Sequence, residues 1–260
     1  MPRTTKKDIY KEYGIDYDTK TGKIVSPIGS VNKLLINGNA KIGKGVYHFS
    51  TLPGTAVFNA TINGVNYQVN GTCVCDCVGC YAETGNYRFQ TTINALAMRT
   101  IIAREYTDFC KRAILAQIKA DKIKTVRIHA SGDFFNFQYV AMWLEIVSTC
   151  KEVTFWTYTK NKNYETAFDS FSNANIVKSI IDGIGLNYGH CDYILDTYKK
   201  LKAAGKKVYI CKCGTDPQQH CTNCKGCALN DYVLFIEHST AYQAAQDPAF
   251  PALKSEIEKQ

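Results

Sequence analysis

The chain has 260 residues, of which 45% are hydrophobic, and carries a formal net charge of +8. This length and composition are typical of a folded domain with a sizeable core. The start is polar and lacks the apolar segment of a secretory signal, and no apolar run reaches the roughly 18 residues that span a bilayer. We therefore expect a cytoplasmic protein that does not enter a membrane.

The chain contains 12 cysteines, most of which fall into two compact groups. In a reducing cytoplasm, clustered thiols hold metal more often than they form disulfides. The basic residues are dispersed rather than gathered in one block, so the positive charge favours a nucleic-acid partner only as an alternative. Metal binding is the leading explanation of the cysteines.

Residues 1–50 are rich in Lys, Gly, Asn and Tyr without strong periodicity, which predicts an irregular N-terminal extension. Two apolar stretches then flank Asn63-Gly64, the strongest short signal for a β-hairpin. We expect this hairpin, within residues 55–70, to provide the first strand of the main domain and to lead the chain to Cys73.

The first thiol group is Cys73-x3-Cys77-x2-Cys80. One short loop can thereby supply three thiolates to a 4Fe–4S cluster and leave its fourth iron open to a small-molecule ligand. A zinc site and buried thiols are the alternatives, although zinc prefers two Cys-x2-Cys pairs or added histidines. Cys75 is a surplus thiol that could replace a neighbour as ligand.

Helices and strands alternate after this loop. Helical spacing of apolar residues predicts helices, and short apolar runs between them predict buried strands. The predicted helices are 91–119, 137–150 and 193–205, and the predicted strands are 125–130, 153–158, 175–181, 207–210 and 233–238. This order predicts an α/β protein with parallel strands in a partial (βα) barrel. We assign 1–50 to the extension, 51–240 to the barrel and 241–260 to a C-terminal tail.

Polar or thiol-bearing loops follow several predicted strands. Ser131-Gly132-Asp133 comes after the strand at 125–130, and Cys211 comes directly after the strand at 207–210. Because the carboxyl ends of parallel strands face one mouth of a barrel, we expect these loops and the first thiol loop to converge. Alone, the Ser-Gly-Asp triplet is also typical of an ordinary strand-to-helix turn.

The second thiol group consists of Cys211-x-Cys213 and Cys221-x2-Cys224-x2-Cys227. The two-residue spacing resembles that of ferredoxin ligands, which predicts a second iron–sulfur cluster with Cys211 or Cys213 as fourth ligand. A zinc site that uses Cys211, Cys213, Cys221 and Cys224, with or without His220, is an alternative, because an all-cysteine set does not separate the two metals. Both groups could also share one cluster.

The first thiol loop together with Ser131-Gly132-Asp133 resembles the radical S-adenosylmethionine superfamily. The resemblance implies that Cys73, Cys77 and Cys80 bind a 4Fe–4S cluster, and that S-adenosylmethionine binds its open iron while Ser131, Gly132 and Asp133 hold the methionine amino group. More narrowly, residues 35–235 resemble the phage gene product eighty-eight family through GKGVYHFSTLPG, CYAETGNYRF, RIHASGDFFNFQYVAMW and the late cysteines.

The leading hypothesis is an iron–sulfur protein with one or two 4Fe–4S clusters and a radical-S-adenosylmethionine-like fold, which performs radical chemistry on an unknown substrate and receives electrons from a donor protein. One alternative is a non-enzymatic iron–sulfur protein for electron transfer or redox sensing. Another is a zinc-stabilised nucleic-acid-binding protein.

Overall fold

The computed structural model describes residues 4–38, 42–75, 80, 82, 85–179, 188–212, 216, 219–236 and 247–260. The helices are α1 (Lys6–Glu12), α2 (Gln90–Glu105), α3 (Thr107–Asp121), α4 (Phe137–Thr149), α5 (Cys191–Ala203), α6 (Gly226–Leu229) and α7 (Phe250–Glu258). None of the helices in these ranges is long and apolar enough to cross a membrane.

In the described part of the chain, the strands are short and belong to four sheets. They are β1 (Ile24–Ser26), β2 (Gly29–Val31), β3 (Ile36–Asn37), β4 (Tyr47–Phe49), β5 (Val57–Ile62), β6 (Val65–Asn70), β7 (Thr125–Ile128), β8 (Thr154–Thr159), β9 (Ala174–Lys178), β10 (Tyr188–Gly189), β11 (Val208–Ile210) and β12 (Tyr232–Ile236). The main sheet has the order β3-β4-β7-β8-β9, and a smaller sheet has the order β10-β12-β11.

Strand direction in the main sheet is mixed. Strand β3 is antiparallel to β4, whereas β4, β7, β8 and β9 are parallel neighbours. All pairs of the smaller sheet are parallel. The predicted α/β class with parallel strands is therefore confirmed, and within the described residues the strands form separate sheets rather than one closed ring.

The predicted hairpin is present, as β5 and β6 around Asn63-Gly64. Both turn residues have positive φ, 50° and 80°, which Asn and Gly tolerate better than other residues. Its assignment as the first barrel strand is wrong, because the hairpin forms a sheet of its own. The first parallel strand is β4, which lies in the range assigned to the N-terminal extension.

A single helix over 91–119 is also wrong. Tyr106 leaves the helical region (φ −131°, ψ 49°) and separates α2 from α3. The break turns α2 towards the hairpin, while α3 packs against α1 and α4. The other predicted helices and strands lie within a few residues of their expected bounds.

The main core lies between the helices and one face of the main sheet. Alternate strand residues point to this face, among them Phe49, Val126, Phe155 and Ile176. A second core joins α5, the smaller sheet and α7, so the predicted tail contributes Leu253 and Ile257 to a packed unit. The division into extension, barrel and tail stays a prediction.

The opposite face of the main sheet, called the inner face below, carries larger polar and aromatic residues. His48, Arg127, Trp156 and Asn175 are register neighbours on β4, β7, β8 and β9. Neighbours in register project to the same side of a parallel sheet, so these four side chains form one row. This row is the surface on which the downstream cysteines lie.

Candidate functional site

Four of the predicted ligands of the second thiol group line one small cavity of about 20 Å³ at the inner face. Cys211 follows β11, Cys221 begins a single turn of 3-10 helix, and Cys227 lies in α6. Among the described residues, the lining consists of Trp156, Tyr209, Cys211, Cys221, Cys224, Cys227 and Ala228. The structure thus brings together thiols that are up to 16 positions apart in the sequence.

Hydrogen bonds tie the cysteine-bearing segment to the sheet. The Nδ2 of Asn175 donates to the carbonyls of Cys227 and Asn230, at 2.7 and 2.8 Å. On the other side, the Oγ1 of Thr222 donates to the Lys44 carbonyl at 2.9 Å. Gly226 packs against the ring of Tyr209 so closely that a Cβ at this position would collide with it.

Aromatic hydroxyl groups contact two of the sulfur atoms. The hydroxyl of Tyr158 lies 2.7 Å from the Sγ of Cys227, and that of Tyr209 lies 3.4 Å from the Sγ of Cys224. The Gly226 amide also donates to the Cys224 sulfur at 3.4 Å. Donors of this kind stabilise thiolates, which are the form that binds metal.

Burial raises the pKa of the Cys227 thiol to about 12, although the Tyr158 hydroxyl and the charge of Arg127 favour the thiolate. The neighbouring thiols Cys221 and Cys224 oppose a negative charge there. In the absence of a bound metal ion, the Cys227 thiol therefore stays neutral at physiological pH. A bound cation beside Cys227 would favour its ionised form, because metal binding and loss of the thiol proton are coupled.

The cavity shares two of its lining residues with a larger, open cleft. Tyr209 and Cys224 also line an open cleft of about 300 Å³ whose other residues include Lys212 and Lys225. Cys213 lies outside the described residues. Within the described part of the chain, no three His, Cys, Asp or Glu side chains lie close enough together to hold a metal ion as they stand.

The first thiol loop starts at the carboxyl edge of the main sheet. The Thr72 amide donates to the Leu52 carbonyl, and the Cys73 amide donates to the Gly54 carbonyl at 3.1 Å. Cys73 and Cys80 are half-buried and Cys75 is exposed. Cys77 lies outside the described residues, so the three-thiolate set stays a prediction.

Ser131, Gly132 and Asp133 lie at the same edge, directly beside the start of this loop. The Oγ of Ser131 donates to the Thr51 carbonyl, and the Asp133 amide donates to the Oγ1 of Thr72 at 3.1 Å. Gly132 has a φ of +82°, and a Cβ there would collide with the hydroxyls of Thr51 and Thr72. Only glycine fits at this position, because the backbone at the end of β7 lies directly against Thr51 and Thr72.

The Asp133 carboxylate is bonded within the protein. It accepts hydrogen bonds from the Thr159 hydroxyl (2.6 Å) and from the amides of Phe134 and Lys160 (2.7 and 2.8 Å). Burial raises the pKa of Asp133, while these bonds favour its ionised form. Asp133 thus joins the ends of β7 and β8, and its role towards a ligand stays a prediction.

Replacing Asp133 by alanine is expected to lower the free energy of unfolding by about 3 kcal/mol or more, because three donors then lack an acceptor and each costs about 1 kcal/mol or more when left unpaired. Urea unfolding followed by circular dichroism measures this loss. The exposed Asp169, which lies outside the helices and strands, gives a matched control, and Asp169→Ala is expected to change stability by less than about 0.5 kcal/mol. Equal stability of the two variants would contradict the role of Asp133 in joining the ends of β7 and β8.

Sequence reasoning missed Tyr158, Arg99 and His48. Tyr158 is the last residue of the strand predicted over 153–158, and nothing in that prediction indicates its contact with Cys227. Arg99 lies in the middle of the apolar stretch of α2, where it is only 6% exposed. An arginine among buried helix residues is the signal that could have identified it, since arginine is rarely buried without a function or a partner.

Comparisons with known proteins agree with the narrower of the two resemblances. The family model for Gene product 88 matches residues 33–228. A "Gene 88 protein" of Mycobacterium phage D29 is 30% identical over 105 residues, which cover 36% of this chain and 42% of that protein. The alignment thus spans less than half of the relative's length. No solved structure matches the chain.

Proposed function

The chain belongs to the Gene product 88 family, and we propose that it is an iron–sulfur protein whose clusters are held by the two thiol groups. The observation that carries the proposal is the convergence of Cys211, Cys221, Cys224 and Cys227 on one cavity at the inner face. Soft thiolate donors select iron–sulfur clusters, zinc or Cu(I) over harder cations.

The surroundings of the downstream thiols fit such a group. The Tyr158 and Tyr209 hydroxyls contact sulfur, and Arg127 favours negative charge on Cys227. Hydrogen bonds to the sulfurs and nearby cations are the usual means of tuning a cluster's potential. Binding requires these thiols to draw closer together, since no three described ligands are at metal-binding spacing. A bound cluster would supply a one-electron redox centre.

In the fuller form of the proposal, Cys73, Cys77 and Cys80 hold a second 4Fe–4S cluster with one open iron. The small-molecule ligand at that iron is S-adenosylmethionine, and the backbone of Ser131-Gly132-Asp133 contacts its methionine part. This arrangement is supported by Thr72 at the start of the first thiol loop, which lies against Gly132 and accepts a hydrogen bond from the Asp133 amide. A radical-S-adenosylmethionine-like fold, an electron-donor protein and a place in the host cytoplasm belong to the same proposal. Without S-adenosylmethionine, the protein acts in electron transfer or redox sensing.

Zinc at the downstream group is a second candidate, favoured by the size of the cavity. A cavity of about 20 Å³ has room for roughly one water-sized group, as a single ion would require, whereas a cubane cluster needs the surrounding loop to open. In this candidate the metal is structural. The net charge of +8 then favours a nucleic-acid partner.

Anaerobic purification followed by metal and acid-labile sulfide analysis tests the proposal. Iron and sulfide in equal amounts, with the visible absorption of a cluster, are the expected result. Zinc without sulfide would replace the first candidate by the second, and the absence of both metals would contradict both. Release of 5′-deoxyadenosine from S-adenosylmethionine by the reduced protein separates the enzyme from the electron carrier.

A further inference from the structure

Three basic side chains gather where the inner face meets the end of β4. His48 and Arg127 are register partners on β4 and β7. The Nε of Arg99 on α2 donates to the carbonyl of Ser50, directly after β4, at 3.0 Å, and the His48 ring contacts the Ser50 hydroxyl at 3.1 Å. These three residues are called the basic group below.

Arg99 is deeply buried and lacks a negative partner within the described residues. Its side chain is almost enclosed, with 6% of the residue exposed, and its hydrogen bond goes to a neutral carbonyl. No ion pair in the described ranges includes Arg99, although the aspartates and glutamates there form nine ion-pair contacts with other groups. A buried cation without a counter-charge is costly, and an anion bound beside it would offset that cost.

Arg99 and Arg127 both lie close enough to His48 to affect its ionisation. Burial, and then the charges of Arg99 and Arg127, lower the pKa of His48 to about 4. Burial also lowers the pKa of Arg99 to about 10, which leaves it charged at physiological pH. The guanidinium groups of Arg99 and Arg127 therefore give this part of the inner face a positive potential. At Arg99, no acidic side chain among the described residues neutralises it.

We propose that the basic group binds the oxyanion of a small-molecule ligand, a carboxylate or a phosphate, with Arg99 as the anchoring side chain. The planar guanidinium pairs with two oxygens of such a group at once, which a lysine cannot do. Arg127 adds positive potential from the neighbouring strand β7, whereas the His48 ring beside it is neutral at physiological pH. Arg99 has no part in the metal binding proposed above, so variants of Arg99 test this site separately from the metal.

The experiment uses the full-length protein in chloride buffer, titrated at constant ionic strength with inorganic phosphate in one arm and acetate in the other. Calorimetry gives the affinity, and the thermal midpoint gives the linked stabilisation. Saturable binding in one arm identifies the class of oxyanion. Binding in neither arm beyond that of chloride would overturn the proposal.

Variants place the binding at Arg99. Arg99→Gln keeps a donor for the Ser50 carbonyl and removes the charge, and the affinity is expected to fall at least about tenfold. Without the anion, this variant should be at least as stable as the unmodified protein, because a buried uncompensated charge is gone. Lys124→Gln removes an exposed charge beside β7 and should leave the affinity unchanged. Equal affinity of all three proteins would overturn the assignment.

Arg99→Lys covers the case in which Arg99→Gln does not fold. It preserves the positive charge but loses the forked geometry, so an intermediate affinity is expected. If Arg99→Lys binds phosphate and acetate as tightly as the unmodified protein, Arg99 is not the anchoring side chain.

Discussion

Replacing Cys227 by serine is expected to remove the metal of the downstream thiol group and to leave that of the first thiol loop. Serine keeps the size of the side chain and its hydrogen bond to Tyr158, but its hydroxyl does not ionise or bind soft metals as a thiolate does. Loss of a group that only hydrogen-bonds to a metal ligand lowers metal affinity about 10–100-fold, and loss of the ligand itself lowers it at least as much. The measurement is iron and sulfide per chain after anaerobic purification.

Two further variants make this result specific. Cys80→Ser should remove the metal of the first loop and leave the downstream metal, so that only the double variant Cys80→Ser/Cys227→Ser loses both. Cys150→Ser is the matched control, because Cys150 is half-buried at the end of α4 and belongs to neither group. Unchanged iron in Cys227→Ser and Cys80→Ser would show that neither loop supplies ligands. Equal iron loss in both single variants would favour one cluster shared by the two groups.

The convergence of the downstream thiols on one cavity was predictable because most of them are close in sequence and chemically distinctive. Cys221, Cys224 and Cys227 fall within seven residues, so any turn that exposes one of them to a cavity brings the others near. Tyr158 carries no such signal. Its contact with Cys227 depends on how α6 docks on β8, and docking between distant segments is decided by tertiary packing.

The same distinction explains the errors in the fold. The Asn63-Gly64 turn and the capped helix α4 follow from local chemistry, and both are present where expected. The hairpin lies outside the main sheet because β4, and not a hairpin strand, pairs with β7. Which strand becomes the partner of β7 is decided by tertiary packing and cannot be deduced from the local sequence of β4. Likewise, the sequence identifies Asp133 as a residue at a strand end. It does not show that the Asp133 carboxylate accepts hydrogen bonds from Thr159 and Lys160 at the end of β8.

His129 is expected to make the fold sensitive to acid. It adopts a φ of +61° and is buried, with Nδ1 3.2 Å from the Thr157 hydroxyl and Nε2 2.9 Å from the Tyr139 hydroxyl. Burial, and then the charge of Arg127, lower the pKa of His129 to about 3. The unfolded chain binds a proton at the ordinary histidine pKa of about 6.5, so it holds more protons than the folded chain below that pH.

This difference fixes the direction of the effect. The free energy of unfolding falls as the pH drops from about 6.5 towards about 3, by about 1.4 kcal/mol per pH unit for a single histidine of this kind. Above about pH 6.5 both states hold a neutral ring, and the contribution no longer changes. His48, whose pKa is lowered to about 4, adds a similar slope over a narrower range.

The variant His129→Asn tests this account, because asparagine tolerates positive φ and keeps a hydrogen-bonding side chain without titrating. Urea unfolding at several pH values between about 7 and 4.5 should give a slope about 1.4 kcal/mol per pH unit shallower than that of the unmodified protein. His48→Gln, measured in chloride buffer free of phosphate, should show a comparable reduction that ends at a higher pH, and the double variant should combine the two. An unchanged slope in His129→Asn would mean that His129 is protonated in the folded state, with the hydroxyls of Thr157 and Tyr139 as acceptors.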